Sequence, residues 1–320
     1  MTYSRLVDTP CVTSVAETAD RIRTMDIRGA GRIARAGAKA LGDFAESYEG
    51  STLDCFLSDL SDAKDVILGS RPTAVSLWNG VHAAIRGAEG AETLEDARSA
   101  VSRNASDFCR RSEMAVEEIA RIGARRIQDG DTVLTHCNSS AAIGAIIEAH
   151  RQGKDVKVYA TESRPWRQGI LTVNALADAG VDVTLIIDSA VRSVMKRVDE
   201  VLVGADTITS QGALINKVGT SQLALAAHEA RVQFYVCAET YKFSPMTLFG
   251  DKVTIEERDI SEVVKPGDVR DSVKIFNPVF DSTPAAYIDA IITELGMMSP
   301  GSVYGVLVDQ LGDGIFGKER

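Results

Sequence analysis

A chain of 320 residues exceeds the usual single core, so two packed domains, or one α/β domain with a helical annex, are expected. Hydrophobic residues at 45% and charged residues at 25% exclude intrinsic disorder, and no apolar run reaches the length of a bilayer span. The formal charge of −10 at pH 7 repels a phosphate backbone, which excludes a nucleic-acid partner and leaves a small phosphorylated ligand open.

In chain order, residues 1–12 carry no clear period and read as a loose tail. The first dozen residues also lack a basic segment followed by an apolar stretch, so a cytoplasmic location is expected. Helical spacing follows at 15–25, 31–47, 53–69, 77–86, 94–111 and 113–128, in segments dominated by alanine, leucine and charged residues. After Asp129-Gly130-Asp131 the texture changes. Short β-branched runs at 132–136, 156–161, 183–187, 200–203, 233–238 and 304–308 alternate with helical patterns at 140–151, 170–179, 190–196 and 220–230. That alternation calls for an α/β fold: a helical domain over 1–128, then a doubly wound, Rossmann-like parallel sheet over 129–320. Ligands of such sheets bind beyond the carboxyl ends of the strands. The residues at those ends are Cys137, Glu162-Ser163-Arg164, Asp188-Ser189, Asp206 and Glu239-Thr240-Tyr241-Lys242.

Five cysteines (Cys11, Cys55, Cys109, Cys137, Cys237) are scattered and form no C-x-x-C pair, and the four histidines have no metal-pair spacing. Reduced thiols and no metal are expected. Cys137 reads as a thiol at a helix amino terminus, where the dipole lowers its pKa from about 8.5 toward neutrality. A buried cysteine acting as a small hydrophobe is the competing reading, against which the polar flank Asn138-Ser139-Ser140 weighs. Asp206 follows Gly204-Ala205 at a strand end, either as a desolvated acid holding a proton or as the cap of the next turn. Arg28-Gly29-Ala30-Gly31 joins two helical segments, as a tight connection or as a phosphate loop at a helix amino terminus. Arg71-Pro72 is a helix boundary that also presents a guanidinium. Asn216-Lys217 and Lys242 add an amide and two ammonium groups near the rim of the sheet.

These segments together resemble the archaeal ribose 1,5-bisphosphate isomerases. Their superfamily also holds methylthioribose 1-phosphate isomerase and the regulatory subunits of the translation-initiation guanine-nucleotide exchange factor. The resemblance rests on Ile27-Arg28-Gly29-Ala30-Gly31-Arg32-Ile33-Ala34-Arg35, Arg71-Pro72-Thr73-Ala74-Val75-Ser76-Leu77 and Thr135-His136-Cys137. It extends through Thr161-Glu162-Ser163-Arg164-Pro165, Gly204-Ala205-Asp206, Asn216-Lys217-Val218-Gly219-Thr220, Glu239-Thr240-Tyr241-Lys242-Phe243 and Asn277-Pro278-Val279-Phe280-Asp281. Exchange-factor subunits generally lack the Cys and Asp pair. Methylthioribose 1-phosphate isomerases resemble R-G-A-P-A-I-G where this chain reads R-G-A-G-R-I-A.

The resemblance implies a fold, an activity and a set of roles. Cys137 would accept a proton and Asp206 donate one, in converting ribose 1,5-bisphosphate to ribulose 1,5-bisphosphate within nucleoside monophosphate degradation. Substrate contacts would fall on Arg28, Gly29, Ala30, Gly31, Arg71, Ser139, Ser140, Ala141, Asn216, Lys217 and Lys242. Relatives often carry lysine where this chain has Ser140, which removes one cation. The resemblance further implies no cofactor, activation by AMP, and a homo-oligomer of dimers, a hexamer. Methylthioribose 1-phosphate isomerase and a non-catalytic nucleotide-sensing subunit are the alternatives.

Overall fold

The structure, a computed structural model, describes residues 10–311. The expectation of a loose tail over residues 1–9 lies outside the described residues, and residues 10–12 form the first turn of a helix. The chain divides into two compact units between Met114 and Ala115. This division falls before the change of texture at Asp129, inside a long helix.

The first unit is helical: α1 (Pro10–Arg23), α2 (Ala30–Glu46), α3 (Leu53–Ser70), α4 (Val75–Ile85) and the first part of α5 (Leu94–Ala124). Local chemistry sets the starts. The Thr52 hydroxyl accepts from Cys55 N–H at the head of α3, and Thr93 accepts from Asp96 N–H at the head of α5, where Glu95 and Asp96 also oppose the helix dipole. Small residues then allow close packing. A Cβ on Gly80 of α4 would lie 2.9 Å from the Ala34 carbonyl of α2, and one on Gly42 would lie 2.8 Å from Ala105 of α5. The core between these helices includes Leu41, Phe44, Phe56, Ile67 and Leu77, all buried. Phe44 stacks on Phe56 at 6.0 Å between centroids, and Tyr48 meets Phe56 edge-on at 5.0 Å.

The second unit opens with the remainder of α5 and continues β1 (Thr132–Thr135), α6 (Ser140–Arg151), β2 (Lys157–Thr161), α7 (Gly169–Asp178) and β3 (Asp182–Ile186). It goes on through α8 (Val191–Val194), β4 (Glu200–Gly204), β5 (Thr207–Ile208), β6 (Leu214–Lys217), α9 (Thr220–Ala230) and β7 (Gln233–Cys237). It ends with β8 (Phe280–Thr283), β9 (Ala290–Thr293), β10 (Gly296–Met298) and α10 (Val303–Leu311). Seven strands form one sheet in the order β10-β9-β7-β4-β1-β2-β3, parallel except for the antiparallel edge strand β10. The doubly wound fold read from the sequence is therefore the fold found. Side chains alternate between two apolar layers. Val133, Leu202, Tyr235 and Ile292 pack with Ala142, Ala145 and Ile146 of α6, while Leu134, Val201, Val203 and Phe234 pack with Leu223 and Ala224 of α9.

Three expectations are corrected. The run 304–308 is not a strand but lies in helix α10: Val303 and Leu307 are buried four residues apart while Tyr304 is exposed, a helical rather than an alternating pattern. The segments 94–111 and 113–128 are joined in the single helix α5 of 31 residues, since nothing at Ser112 breaks it. The helix expected over 190–196 is four residues of α8 between two 3-10 turns. A separate antiparallel sheet, β5-β6-β8, was not foreseen, and its strands of two to four residues are too short to show a period. None of the described helices is long and apolar enough to cross a membrane.

Truncating Phe44 to Ala leaves a cavity among rigid aromatic neighbours and is expected to cost about 3–5 kcal/mol. Urea denaturation checks this; a loss under about 1 kcal/mol would contradict the packing described.

Candidate active site

The strand order reverses between β1 and β4: the chain winds outward from β1 through β2 to β3, and from β4 through β7 to β9. Crossovers on the two sides of that point diverge and leave a crevice at the carboxyl ends of the two strands. Cys137 leaves β1 and Asp206 leaves β4, which pair directly through Val133 with Glu200 and Leu134 with Val201. The expected pair thus occupies the two adjacent exits at the switch point. A Cβ on Gly204 would overlap Ser139 Oγ, so glycine lets the loop after β1 seat on the end of β4.

Cys137 is held in the left-handed region, at φ 66°. Its N–H donates to Ser163 Oγ at 2.8 Å, and its carbonyl accepts from Thr172 Oγ1 at 2.6 Å. Helix α6 begins three residues later, with Ser139 as N-cap accepting from Ala142 N–H. The thiol therefore lies outside the first helical turn, and the expected depression of its pKa is corrected. Loss of hydration pushes the Cys137 thiol up to about 11, with the Asp206 and Asp188 carboxylates adding to the rise; the Lys217 ammonium and the Asn138 N–H oppose it. Asp206 is half-buried, and its N–H donates to the Ile215 carbonyl of β6 at 3.1 Å.

The other expected contacts separate into kinds. Ser140, exposed, and Ala141, buried, occupy the first turn of α6, so Ala141 can offer a ligand only its N–H. Asn216 and Lys217 are buried on β6: Asn216 Nδ2 donates to Thr220 Oγ1 at 3.0 Å, and Lys217 Nζ donates to the Val279 carbonyl at 3.0 Å and lies 5.2 Å above the Phe280 ring. Lys242 is buried in an ion pair of 2.6 Å with Glu239, whose carboxylate also accepts from Tyr241 Oη. Burial works against the Glu239 charge, yet Lys242 prevails and holds that carboxyl below the usual range. Within the helical unit, Gly29 at φ 93° precedes α2, and Ser76 Oγ donates to the Ala30 carbonyl at 2.9 Å. Arg71 Nη1 meets Met25 Sδ at 3.3 Å. The first residue of α2 is thus bonded to α4, and Arg71 reaches Met25 just after α1.

Three further groups received no role from the sequence: buried His136, and half-buried Asp188 and Asp281. His136 bridges Thr161 Oγ1 and the Val218 carbonyl, and Asp188 accepts the N–H groups of Ser163 and Arg164 at 2.8 Å each. Asp281 accepts Gly219 N–H at 2.7 Å and Ser221 N–H, capping α9 from β8. Burial pushes the Asp281 carboxyl up to about 6 against the pull of those donors. The only sequence signal for these residues is position: a strand end for Asp188, a motif end for Asp281.

The family model for the initiation factor 2 subunit family matches residues 26–300. The chain belongs to the initiation factor 2 subunit family. A family member from Archaeoglobus fulgidus, a ribose 1,5-bisphosphate isomerase, is 53% identical over 298 residues, covering 93% of this chain and 94% of its own. The ribose 1,5-bisphosphate isomerase of Methanocaldococcus jannaschii is 48% identical over 298 residues, with 93% and 96% covered. Among solved structures, the Pyrococcus horikoshii translation initiation factor eIF-2B superposes with a TM-score of 0.77 at 35% identity, covering 89% of this chain and 97% of its own.

Asp281 makes stability depend on pH with a defined sign. Its folded pKa, about 6, lies above the unfolded value of about 3.9, so the folded state binds the proton more tightly and this group's contribution falls as pH rises from about 4 through 6. The Asp281→Asn variant keeps an acceptor for Gly219 and lacks that slope. Relative to wild type it should gain roughly 2 kcal/mol between pH 4 and pH 7, read from urea midpoints at the two values.

Proposed function

We propose that this protein isomerises ribose 1,5-bisphosphate to ribulose 1,5-bisphosphate. The observation that carries the reading is the placement of a thiol and a carboxyl at the two adjacent strand exits of the switch point, Cys137 after β1 and Asp206 after β4. Relatives bearing that activity in their names, at 48–53% identity over nearly the whole chain, support it.

The chemistry needs both groups. With phosphate on the anomeric oxygen no free aldehyde forms, so ring opening must be coupled to loss of the proton on the second carbon. Cys137, as thiolate, takes that proton; the electron pair forms the C1–C2 double bond, the bond from C1 to the ring oxygen breaks, and the Asp206 carboxyl protonates that oxygen. The enol phosphate then loses its hydroxyl proton to the Asp206 carboxylate while C1 takes the proton back from the Cys137 thiol. Both residues end as they began. The burial that raises the thiol makes its thiolate a strong base, and the Lys217 ammonium lowers the cost of forming it.

We assign each unit its own anion-binding groups. In the helical unit these are Arg28, Arg71 and the N–H groups of the Gly29–Gly31 loop. In the sheet unit they are the first turn of α6 at Ser139, Ser140 and Ala141, with Asn216, Lys217 and Lys242. Lys242 would have to share its ammonium with Glu239.

Two outcomes test the reading. Purified protein should turn over ribose 1,5-bisphosphate and leave methylthioribose 1-phosphate at least about a hundredfold slower, since one anion anchor would go unused. Cys137→Ser and Asp206→Asn should each abolish turnover with the fold retained. Equal turnover of the methylthio substrate would sink the bisphosphate assignment; no turnover of any sugar phosphate, with a stable complex to a translation GTPase, would favour a regulatory subunit.

A separate measurement addresses the arginines. Replacing Arg28 or Arg71 with Met should raise KM for the bisphosphate about tenfold to a hundredfold, the worth of one charge-assisted contact. An unchanged KM in steady-state assays would remove that arginine from substrate binding.

A further inference from the structure

The Cys137 backbone is tied to the strand carrying Lys217 by a chain of buried hydrogen bonds. Cys137 N–H donates to Ser163 Oγ at 2.8 Å, Ser163 Oγ lies 3.2 Å from Thr161 Oγ1, and Thr161 Oγ1 lies 2.5 Å from His136 Nδ1. On the far side of the ring, Nε2 lies 3.0 Å from the Val218 carbonyl, the residue after Lys217. His136, Thr161 and Ser163 are at most 2% exposed.

The shortest contacts of this chain give one assignment of its protons; Ser163 Oγ lies farther, at 3.4 Å, from both His136 Nδ1 and the Thr161 carbonyl. A carbonyl only accepts, so Nε2 carries hydrogen, and in the neutral ring Nδ1 is then an acceptor for the Thr161 hydroxyl. Thr161, having donated, accepts from Ser163, and Ser163 accepts from Cys137. Every hydroxyl gives one hydrogen and receives one, and the polarity runs unbroken from the Cys137 amide to the imidazole. Burial lowers the pKa of His136, outweighing the nearby Asp188 carboxylate, and so keeps the ring neutral as the assignment requires. The ring also fits closely: a Cβ on Gly219, at φ 104°, would lie 3.1 Å from it. Two residues in the left-handed region, Cys137 and Ser163, are joined by this chain, and Ser163 is anchored from the other side by Asp188.

We propose that His136 is a positioning residue for proton transfer at Cys137: its neutral ring, through Thr161 and Ser163, fixes the thiol-bearing backbone against the Val218 carbonyl and thereby beside Lys217. The inference deepens the isomerase reading and rests on it for its kinetic part. Its consequence is that the ring sets how strongly the Lys217 charge is felt at the thiol without touching substrate itself.

Two amide substitutions divide the ring's two bonds. His136→Asn places an acceptor near the Nδ1 position and loses the Val218 bond, while His136→Gln places a donor near Nε2 and loses the Thr161 bond. Each variant is assayed for kcat and KM with ribose 1,5-bisphosphate. The rate of Cys137 alkylation by iodoacetamide is followed against pH, read by mass on the Cys137 peptide because Cys55 is exposed and also reacts. With circular dichroism and thermal unfolding like wild type, kcat should fall at least about tenfold in both variants with KM within about threefold, and the alkylation midpoint should move upward by at least about half a pH unit. Thr161→Val and Ser163→Ala break the same chain from its other end and should act in the same direction; they decide the matter if the His136 variants do not fold. A wild-type kcat and midpoint in folded variants overturn the proposal, as does a change confined to KM, or a fall in kcat with the midpoint unmoved. If the wild type leaves ribose 1,5-bisphosphate unchanged, it is the substrate assignment that fails, and the alkylation arm still decides the role of His136.

Discussion

Everything at the candidate site depends on how closely the loop after β1 can approach the end of β4. Gly204 provides that approach, because any side chain there would occupy the place of Ser139 Oγ. Ser139 is in turn the N-cap of α6, so one contact locates three things: the strand exit bearing Cys137, the start of the helix whose N–H groups face outward, and the strand exit bearing Asp206. The sheet supplies adjacency through the β1–β4 pairing, and the missing side chain turns adjacency into a shared crevice.

The charged groups around this crevice are buried or half-buried, and their arrangement follows from the cost of removing charge from water. Lys217 directs its ammonium at a backbone carbonyl, Lys242 is matched by Glu239, and Asp281 collects N–H groups at the head of α9. At Cys137 loss of hydration outweighs the Lys217 ammonium and the Asn138 N–H and raises the thiol to about 11, so the thiolate that takes the substrate proton is a minor species near pH 7. The site therefore keeps its cations compensated by internal partners, and an anionic ligand competes with those partners rather than filling an empty charge.

The fold was legible in the sequence where β-branched runs alternate with helical patterns, and less so after residue 238, where four-residue β9 went unread. The five core strands β1, β2, β3, β4 and β7 fall where their β-branched runs lie, and Cys137 and Asp206 could be named because strand ends in a doubly wound sheet are where ligands go. Two-residue β5 and three-residue β10 carry no such signal. The run Val303-Tyr304-Gly305-Val306-Leu307-Val308 has strand-like composition, but burial of Val303 and Leu307 on one face makes it a helix. The electrostatics were legible least. The height of the thiol pKa depends on three residues between some fifty and eighty positions away, Asp188, Asp206 and Lys217, and on a loop that ends before the helix dipole can act.

The small sheet β5-β6-β8 joins strands that are neighbours in space and distant in sequence: Asn216 stands opposite Asp281 and Lys217 opposite Phe280. During synthesis, a chain that has emerged only as far as Pro278 already carries Cys137, Asp206 and Lys217. It still lacks the Val279 carbonyl that receives the Lys217 ammonium and the Asp281 carboxyl that caps α9. Long-range pairings of this kind form late, because the intervening loop must close before any contact compensates for the closure. The reacting groups are thus made early and armed late, and a ribosome-bound or truncated chain holds an immature site until β8 docks.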